Sequence, residues 1–120
     1  MEHLKISEGE YRLACIVWDH EPLPSGRLVE LCAHQLGWKK STTYTVLKKL
    51  CDRGLFRNEH GTVHAVTSRE EFYARQSERF VEEAFDGSLP AFLTAFTSRK
   101  KLSQEEIAQL QRLIDQNRGC

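Results

Sequence analysis

The side chains best suited to binding chemistry lie in the stretch GWKKSTTYTVLKKL, residues 37–50. If this stretch is a helix with Val46, Leu47 and Leu50 directed inward, its opposite face combines hydroxyls, a phenol and lysines. Short hydroxyls and an aromatic ring can reach base edges in a major groove, and lysines can bind phosphates. The pattern predicts a DNA-binding surface. Its residues, with an arginine on the strand that follows, are Lys39, Lys40, Ser41, Thr42, Tyr44, Thr45, Lys48, Lys49 and Arg57.

Charge is distributed unevenly along a chain whose formal net charge is zero. Residues 38–57 carry six basic side chains against Asp52 alone, whereas residues 70–86 carry six acidic side chains against two arginines. A local excess of positive charge suits a polyanionic partner. Because a solvated helix face would have the same composition, the elements around it must decide between the two readings.

Three helices are predicted in the first half of the chain. Ser7 and Glu10 have the spacing of a capping box, which begins the first helix. Ser25 is predicted to cap a second helix that ends at Gly37, and the third, DNA-reading helix ends at Gly54. Each helix has an apolar face at i, i+3, i+4 spacing, which indicates that the three pack together.

A β-hairpin is predicted after the third helix. Residues 55–58 and 62–66 form two short strand-like runs on either side of Glu59-His60-Gly61, where glycine can take the left-handed position of a tight turn. Three helices followed by a hairpin are typical of a winged helix-turn-helix, which we assign to residues 1–67. This arrangement supports DNA binding over a merely solvated helix face.

Residues 68–120 are predicted to be a separate, wholly helical region. Their bulky apolar stripes exceed what short helices can bury alone, so we expect them to pair with the same segment of a second chain. Packing back on the winged domain is the alternative. The fold class is therefore mainly α with a small β-hairpin wing, followed by a C-terminal helical dimerisation segment. The predicted homodimer contacts are Phe72, Tyr73, Phe80, Phe85, Phe92, Phe96, Ile107, Leu110 and Ile114.

Several other classes of protein find no support in the sequence. There is no glycine-rich phosphate loop and no nucleophile elbow, so we predict neither an enzyme nor a bound cofactor. A metal site could be assembled from His60 and His64 with Cys51 or Cys32, but a solvated histidine is the more common role at a hairpin tip. We therefore predict no metal ligands.

Cellular location is predicted from what the sequence lacks. No apolar run approaches the ~20 residues of a membrane span, and MEHLKISEGE has no apolar signal-peptide core. We expect a cytoplasmic protein without membrane insertion. In that compartment its four cysteines should be free thiols, and Cys15, Cys32 and Cys51 lie among apolar residues that indicate core packing.

A set of short motifs lies along nearly the whole chain. The motifs are Ile6-Ser7, Glu10, Trp18, Gly37-Trp38, Thr42, Thr45-Val46-Leu47, Leu50, Gly54, Ser68-Arg69-Glu70-Glu71, Phe85-Asp86-Gly87-Ser88-Leu89 and Leu102-Ser103-Gln104-Glu105-Glu106-Ile107. Together they resemble the BlaI/MecI/CopY (penicillinase repressor) family of transcriptional regulators. The resemblance implies a homodimeric winged-helix repressor that binds a palindromic operator in double-stranded DNA, with the C-terminal helices dimerising. Carried over by position, Ser41, Thr42, Tyr44 and Thr45 would face bases and Lys49 a phosphate.

The chain departs from the family pattern at the predicted reading surface. Lys39-Lys40 stands where relatives often have Ser-Pro, and Tyr44 stands where a basic residue is common. The second wing strand, residues 63–66, lacks the usual tyrosines. The resemblance therefore does not carry an operator sequence over to this chain.

Regulation in the β-lactam-responsive branch of the family involves cleavage of the repressor, triggered by a membrane-bound sensor metalloprotease. The matching bond here is Ala95–Phe96, with Ala95 in place of the usual Asn. The copper-responsive branch carries paired Cys-x-Cys motifs, and only Cys120 is present at this end of the chain. Two alternatives stay open at this stage: a metal-responsive repressor, and a winged helix that binds protein rather than DNA.

Overall fold

The fold is seen in a computed structural model that describes residues 5–119. The part described contains six helices and three short strands, so the mainly α class with a small wing is confirmed. In chain order the elements are α1 (Glu8–His20), β1 (Leu23–Pro24), α2 (Ser25–Leu36), α3 (Lys40–Asp52), β2 (Phe56–Glu59), β3 (Thr62–Ala65), α4 (Arg69–Phe85), α5 (Leu89–Arg99) and α6 (Gln104–Arg118).

The chain divides into two compact units, Met1–Arg79 and Phe80–Cys120. Residues 69–79 of α4 thus belong with the winged helix, whereas the sequence pattern suggested a domain end at residue 67. Phe72 explains this extension because it is only 3% exposed and lies in the same core as α1, α2 and α3.

The structure confirms most of the helix ends that were predicted from capping residues and glycines. Ser7 and Glu10 form the predicted capping box, with the Glu10 amide 3.2 Å from Ser7 Oγ and the Ser7 amide 2.8 Å from Glu10 Oε1. Gly37 ends α2 with a left-handed φ of 70°. The predicted Ser25 cap is wrong: Pro24 is the N-cap residue, and Ser25 is the first residue of the helix.

The wing is a three-stranded antiparallel sheet in the order β1-β3-β2. Strands β2 and β3 form the predicted hairpin, and both residues of its turn, His60 and Gly61, have positive φ values of 53° and 83°. Two left-handed residues match the right-handed twist of the strands. Strand β1 was not predicted, because its two residues, Leu23 and Pro24, are too few to show an alternating pattern.

The core of the first unit lies between the three helices and the sheet. Trp18 contacts Phe56 and Phe72, with ring centroids 5.7 and 5.3 Å away, and its indole N–H donates to the Thr67 carbonyl at 3.0 Å. The guanidinium of Arg69 lies over the same indole ring at 5.6 Å and also donates a hydrogen bond to Asp19. These contacts attach the start of α4 to α1.

The second unit contains the end of α4 together with α5 and α6. Its aromatic side chains cluster, with centroid distances of 6.0 Å from Phe80 to both Phe85 and Phe92. Even so, α5 and α6 contain no buried residue. None of the helices described is long and apolar enough to cross a membrane.

Candidate nucleic-acid interface

The buried face of α3 sets the direction of every other side chain on the helix. Thr43, Leu47 and Leu50 are buried against the core. Thr43 can be buried without cost because its hydroxyl donates to the Lys39 carbonyl at 3.1 Å. Since successive helical residues are rotated by about 100°, the side chains on the opposite side must face solvent.

Most of the predicted DNA-binding residues are on that solvent face. Ser41, Thr45 and Lys48 follow one another at i, i+4 and i+7, which places them in one line along the helix. Tyr44 is half-buried beside this line. The exposed members of the predicted set are Lys39, Lys40, Ser41, Thr42, Thr45, Lys48 and Lys49 on or before α3, and Arg57 on β2.

Tyr44 does not project freely. Its ring packs against the edge of the hydrophobic core, and its hydroxyl donates to Ser25 Oγ at 3.1 Å. Ser25 was not among the predicted site residues, because a serine before an apolar helix is ordinarily interpreted as a cap. Its contact with a residue 19 positions away has no local signal in the sequence.

The cations of the basic segment have different partners. Lys48 lies 3.3 Å from Asp52 in an ion pair whose side chains are 78% and 66% exposed, so the pair is weak and can be exchanged for a phosphate. Arg53 instead donates to Glu10 at 3.1 Å and to the Lys5 carbonyl at 2.7 Å. It stabilises the first unit and is not available at the reading surface.

The contact with Arg53 also changes the chemistry of Glu10. The Ser7 amide donates to this carboxylate, and the positive charges of Arg53 and Lys49 lie nearby. Together they hold the pKa of Glu10 below its ordinary value, against the opposing effect of burial. A carboxylate at the start of α1 therefore stays charged and fixes the arginine at the end of α3.

The wing contributes one arginine to the surface. Arg57 on β2 is paired across the sheet with His64 on β3, and His64 Nε2 lies 3.5 Å from Glu59 Oε1. The neighbouring Ala65 amide is bound by the Glu21 carboxylate at 2.7 Å, which holds β3 to the end of α1. Arg57 is exposed and contributes a permanent positive charge to the surface of the wing.

An open groove of about 610 Å³ runs between α3 and β2. Tyr44 and Cys51 line it on the helix side, and Phe56 and Arg57 line it on the strand side. Burial raises the pKa of the Cys51 thiol, and burial also raises that of Cys32. Both side chains are therefore neutral thiols, and Cys32 is buried in the core as expected whereas Cys51 is only half-buried.

Metal binding was one of the alternatives drawn from the sequence. Among residues 5–119, no three His, Cys, Asp or Glu side chains are grouped so that they could hold a metal ion. Cys120 lies outside the described residues. His64, one of the residues considered for such a site, has its side chain beside Glu59 on the wing.

The predicted dimer contacts fall into two groups. Phe72 is buried within its own chain by Tyr11 and Trp18, and it is therefore no longer counted as a contact for a second chain. Tyr73 is exposed, although its hydroxyl is hydrogen-bonded to that of Tyr11. Phe80, Phe96, Ile107 and Ile114 are exposed, and Phe85, Phe92 and Leu110 are half-buried.

The bond between Ala95 and Phe96 lies inside α5, three to four residues from its end at Arg99. Both side chains are exposed. A peptide bond within a helix is held by backbone hydrogen bonds, so a protease can reach it only after this short helix opens locally.

Comparisons with known proteins agree with this architecture. A model of the penicillinase repressor family matches residues 6–116. The penicillinase repressor of Bacillus licheniformis is 22% identical over 119 residues, which cover 96% of this chain and 93% of the relative. The methicillin resistance regulatory protein MecI of Mammaliicoccus sciuri is 20% identical over 115 residues, covering 92% and 94%.

A third relative is similar over less of its own length. The HTH-type transcriptional regulator GlpR of Haloferax volcanii is 30% identical over 112 residues, which cover 82% of this chain and 42% of the relative. The three are named as a repressor, a regulatory protein and a transcriptional regulator, and the family match extends over both units of the chain. The chain therefore belongs to the penicillinase repressor family of transcriptional regulators.

Proposed function

We propose that this repressor binds a palindromic operator in double-stranded DNA as a homodimer, with α3 in the major groove. The observation that carries the proposal is the exposed line of Ser41, Thr45 and Lys48 along α3, opposite a face that is fully used in the core. A helix that presents short polar side chains and cations on a rigid support is suited to reading base edges.

The residues of this surface divide by chemistry into two roles. Thr42, Thr45 and the ring of Tyr44 would meet base edges, where a thymine methyl is a suitable target for an apolar contact. Lys48 and Lys49, further along the helix, would bind phosphates. Lys39 and Lys40 lie at the start of α3, where free amide groups also favour an anion.

The homodimer is proposed from the apolar surface of the second unit. Ile107, Leu113 and Ile114 on α6 are each about half exposed, as are Phe80 and Phe96. Removing apolar side chains of this size from water is favourable, so their burial against a second copy would stabilise a dimer. A two-fold symmetric dimer would also match the symmetry of a palindrome.

Regulation by cleavage at Ala95–Phe96 belongs to the same proposal. Because α5 contains no buried residue, its local opening should cost little in a free chain, and more in a dimer that covers Phe96. Cleavage triggered by a membrane-bound sensor metalloprotease would release α6 with its apolar side chains and so weaken the dimer. Mass spectrometry of the repressor from induced cells tests this: intact chains throughout derepression would contradict it.

Salt-dependent binding titrations test the DNA-binding role. A duplex selected from random DNA and a scrambled duplex are titrated at several salt concentrations. Lys49→Ala should weaken both and lower the magnitude of the salt slope by about one unit per half-site. Thr42→Ala should weaken only the selected duplex, by about 1–3 kcal/mol.

Lys101→Ala is the matched control, because this lysine is exposed but lies between α5 and α6. It should leave both slopes unchanged. Binding by the wild type that is indifferent to salt would contradict the proposal and favour a winged helix that binds protein, since counterion release from DNA necessarily depends on salt.

A further inference from the structure

The serine at the start of α2 is used differently from those at the starts of other helices. Ser7, Ser88 and Ser103 precede α1, α5 and α6, and each accepts a hydrogen bond from an amide of its own helix. Ser25 makes no such cap, because Pro24 occupies the N-cap position. The hydroxyl of Ser25 instead accepts the hydrogen bond from Tyr44, 3.1 Å away on α3.

The backbone of Ser25 makes a second long-range contact. Its N–H donates to the carbonyl of Gly61 at 2.8 Å, in the turn of the wing. Just before it, Leu23 and Pro24 pair with Val63 and Thr62 of β3. Ser25 therefore joins three elements that surround the proposed DNA surface: the start of α2 by its position, the wing by its N–H, and α3 by its hydroxyl.

The bond to Ser25 also limits what Tyr44 can offer to a base. The phenolic hydrogen is donated to Ser25 Oγ, so it is not available for the acceptor atoms O6 and N7 of guanine or O4 of thymine. The ring remains available, and it is held at one orientation on the edge of the reading helix. An aromatic ring in this state suits an apolar contact, such as that with a thymine methyl group.

We propose that Ser25 is a positioning residue for sequence reading: its hydroxyl fixes the ring of Tyr44 so that the ring, and not the phenol hydrogen, contacts the base. The inference rests on the proposed function, because it assumes that α3 reads DNA. Because the ring is already held in place, the complex does not have to pay the conformational entropy of ordering it on binding. This gain in affinity applies only on a duplex where the ring contacts its preferred base.

The experiment measures discrimination between the selected duplex and duplexes changed at single positions, using the full chain. Ser25→Ala removes the hydroxyl but keeps the N–H that binds Gly61, so the wing stays attached. Tyr44→Phe removes the same hydrogen bond from the other side. Each should lower discrimination about 3–10-fold at one position per half-site, and the double variant should lose no more than either alone.

Three controls separate positioning from general stability. Ser25→Thr keeps a hydroxyl and should discriminate like the wild type. Affinity for the scrambled duplex should be the same in every variant. Ser77→Ala, which removes a serine hydroxyl that donates to the Tyr73 and Ala74 carbonyls of its own helix, should behave as the wild type. Thermal unfolding of each variant shows whether it folds. If Ser25→Ala does not fold, Tyr44→Phe and Ser25→Thr, which are the mildest changes, still compare loss of the hydrogen bond with its retention.

The results distinguish this inference from the proposal beneath it. If Tyr44→Ala lowers discrimination while Ser25→Ala and Tyr44→Phe do not, Tyr44 reads DNA without help from Ser25 and the inference is overturned. Additive losses in the double variant would overturn it as well. If Tyr44→Ala and Thr42→Ala both bind the two duplexes like the wild type, the reading role of α3 itself is contradicted.

Discussion

Residues 5–79 and residues 80–119 contain similar kinds of apolar side chains but bury them to different extents. Among residues 5–119, fourteen apolar residues form the buried core, and all of them lie in the first unit. In the same part of the chain eight large apolar side chains are exposed, and six of these lie in the second unit. The first unit therefore covers its own apolar surface, whereas the second leaves much of it exposed.

The difference follows from the arrangement of the elements rather than from hydrophobicity alone. In the first unit, three helices and a sheet cover one another from several sides, so a side chain such as Leu50 is surrounded. The second unit has only α5, α6 and the end of α4, and this small number of helices cannot enclose a core. Amphipathic helices without enough neighbours are suited to association.

The largest effect is expected from a pair of substitutions on the same helix. Phe72→Ala should lower the free energy of unfolding of the first unit by about 3–5 kcal/mol, because this ring is buried in the core. Phe80→Ala, eight residues later on α4, should change it little, because Phe80 is 53% exposed. Both tryptophans, Trp18 and Trp38, lie in the first unit, so urea unfolding followed by their fluorescence reports on that unit.

Equal destabilisation by the two alanines would break the comparison, since it would mean that the two units unfold together and share one core. Sedimentation of Phe80→Ala at several concentrations provides the complementary measurement. If the exposed ring belongs to the proposed dimer surface, its loss should weaken self-association even though the tryptophan signal is unchanged.

Charges placed on α6 test the apolar surface of the second unit directly. Leu113→Glu combined with Ile114→Glu should produce a monomer, because two carboxylates cannot be buried without partners. Operator affinity should then fall about a hundredfold or more, since binding by two linked reading heads is lost. Sedimentation and a DNA titration measure the two effects.

The matched control adds the same charge at exposed positions on the other face of the same helix. Ala108→Glu combined with Gln116→Glu should leave both the dimer and the operator affinity nearly unchanged. If the variant with Leu113→Glu and Ile114→Glu remains a dimer, the two chains must contact each other through another surface.

The smallest effect concerns acid stability, and it should be confined to the first unit. The pKa of Glu10 is lowered in the folded chain, so its interactions stabilise the fold above its ordinary pKa of 4.5 and are lost as the pH falls below that value. Glu10→Gln should cost about 1 kcal/mol or less at neutral pH. Below pH 4.5 the stability of the wild type should approach that of the variant, as measured by tryptophan fluorescence.

Glu106→Gln is the control for this measurement. Glu106 has the same place in the capping box of α6 that Glu10 has in α1, but it lies in the other unit. It should leave the unfolding of the first unit unchanged at every pH. A constant difference between the wild type and Glu10→Gln from neutral to acid pH would contradict the link between this carboxylate and stability.

Much of the reading surface could be predicted because its geometry is set within one helix. The period of Thr43, Leu47 and Leu50 defines the buried side, and the exposed positions of Thr42, Thr45, Lys48 and Lys49 follow from it. Arg53 could not be assigned in this way. It follows the same basic run, yet its guanidinium binds Glu10, 43 residues earlier in the chain.

The sequence by itself determined the features that depend on neighbours within a few residues: the Ser7 and Ser103 capping boxes, the end of α2 at Gly37, and the tight turn of the wing. Only the tertiary structure decided that Ser25 bonds to Tyr44 and that Phe72 joins the core of the first unit. A cap or a turn is closed by hydrogen bonds over three or four positions, so local residue types suffice. The partners of Ser25 and Phe72 are brought together by the packing of whole helices, which no short stretch of sequence contains.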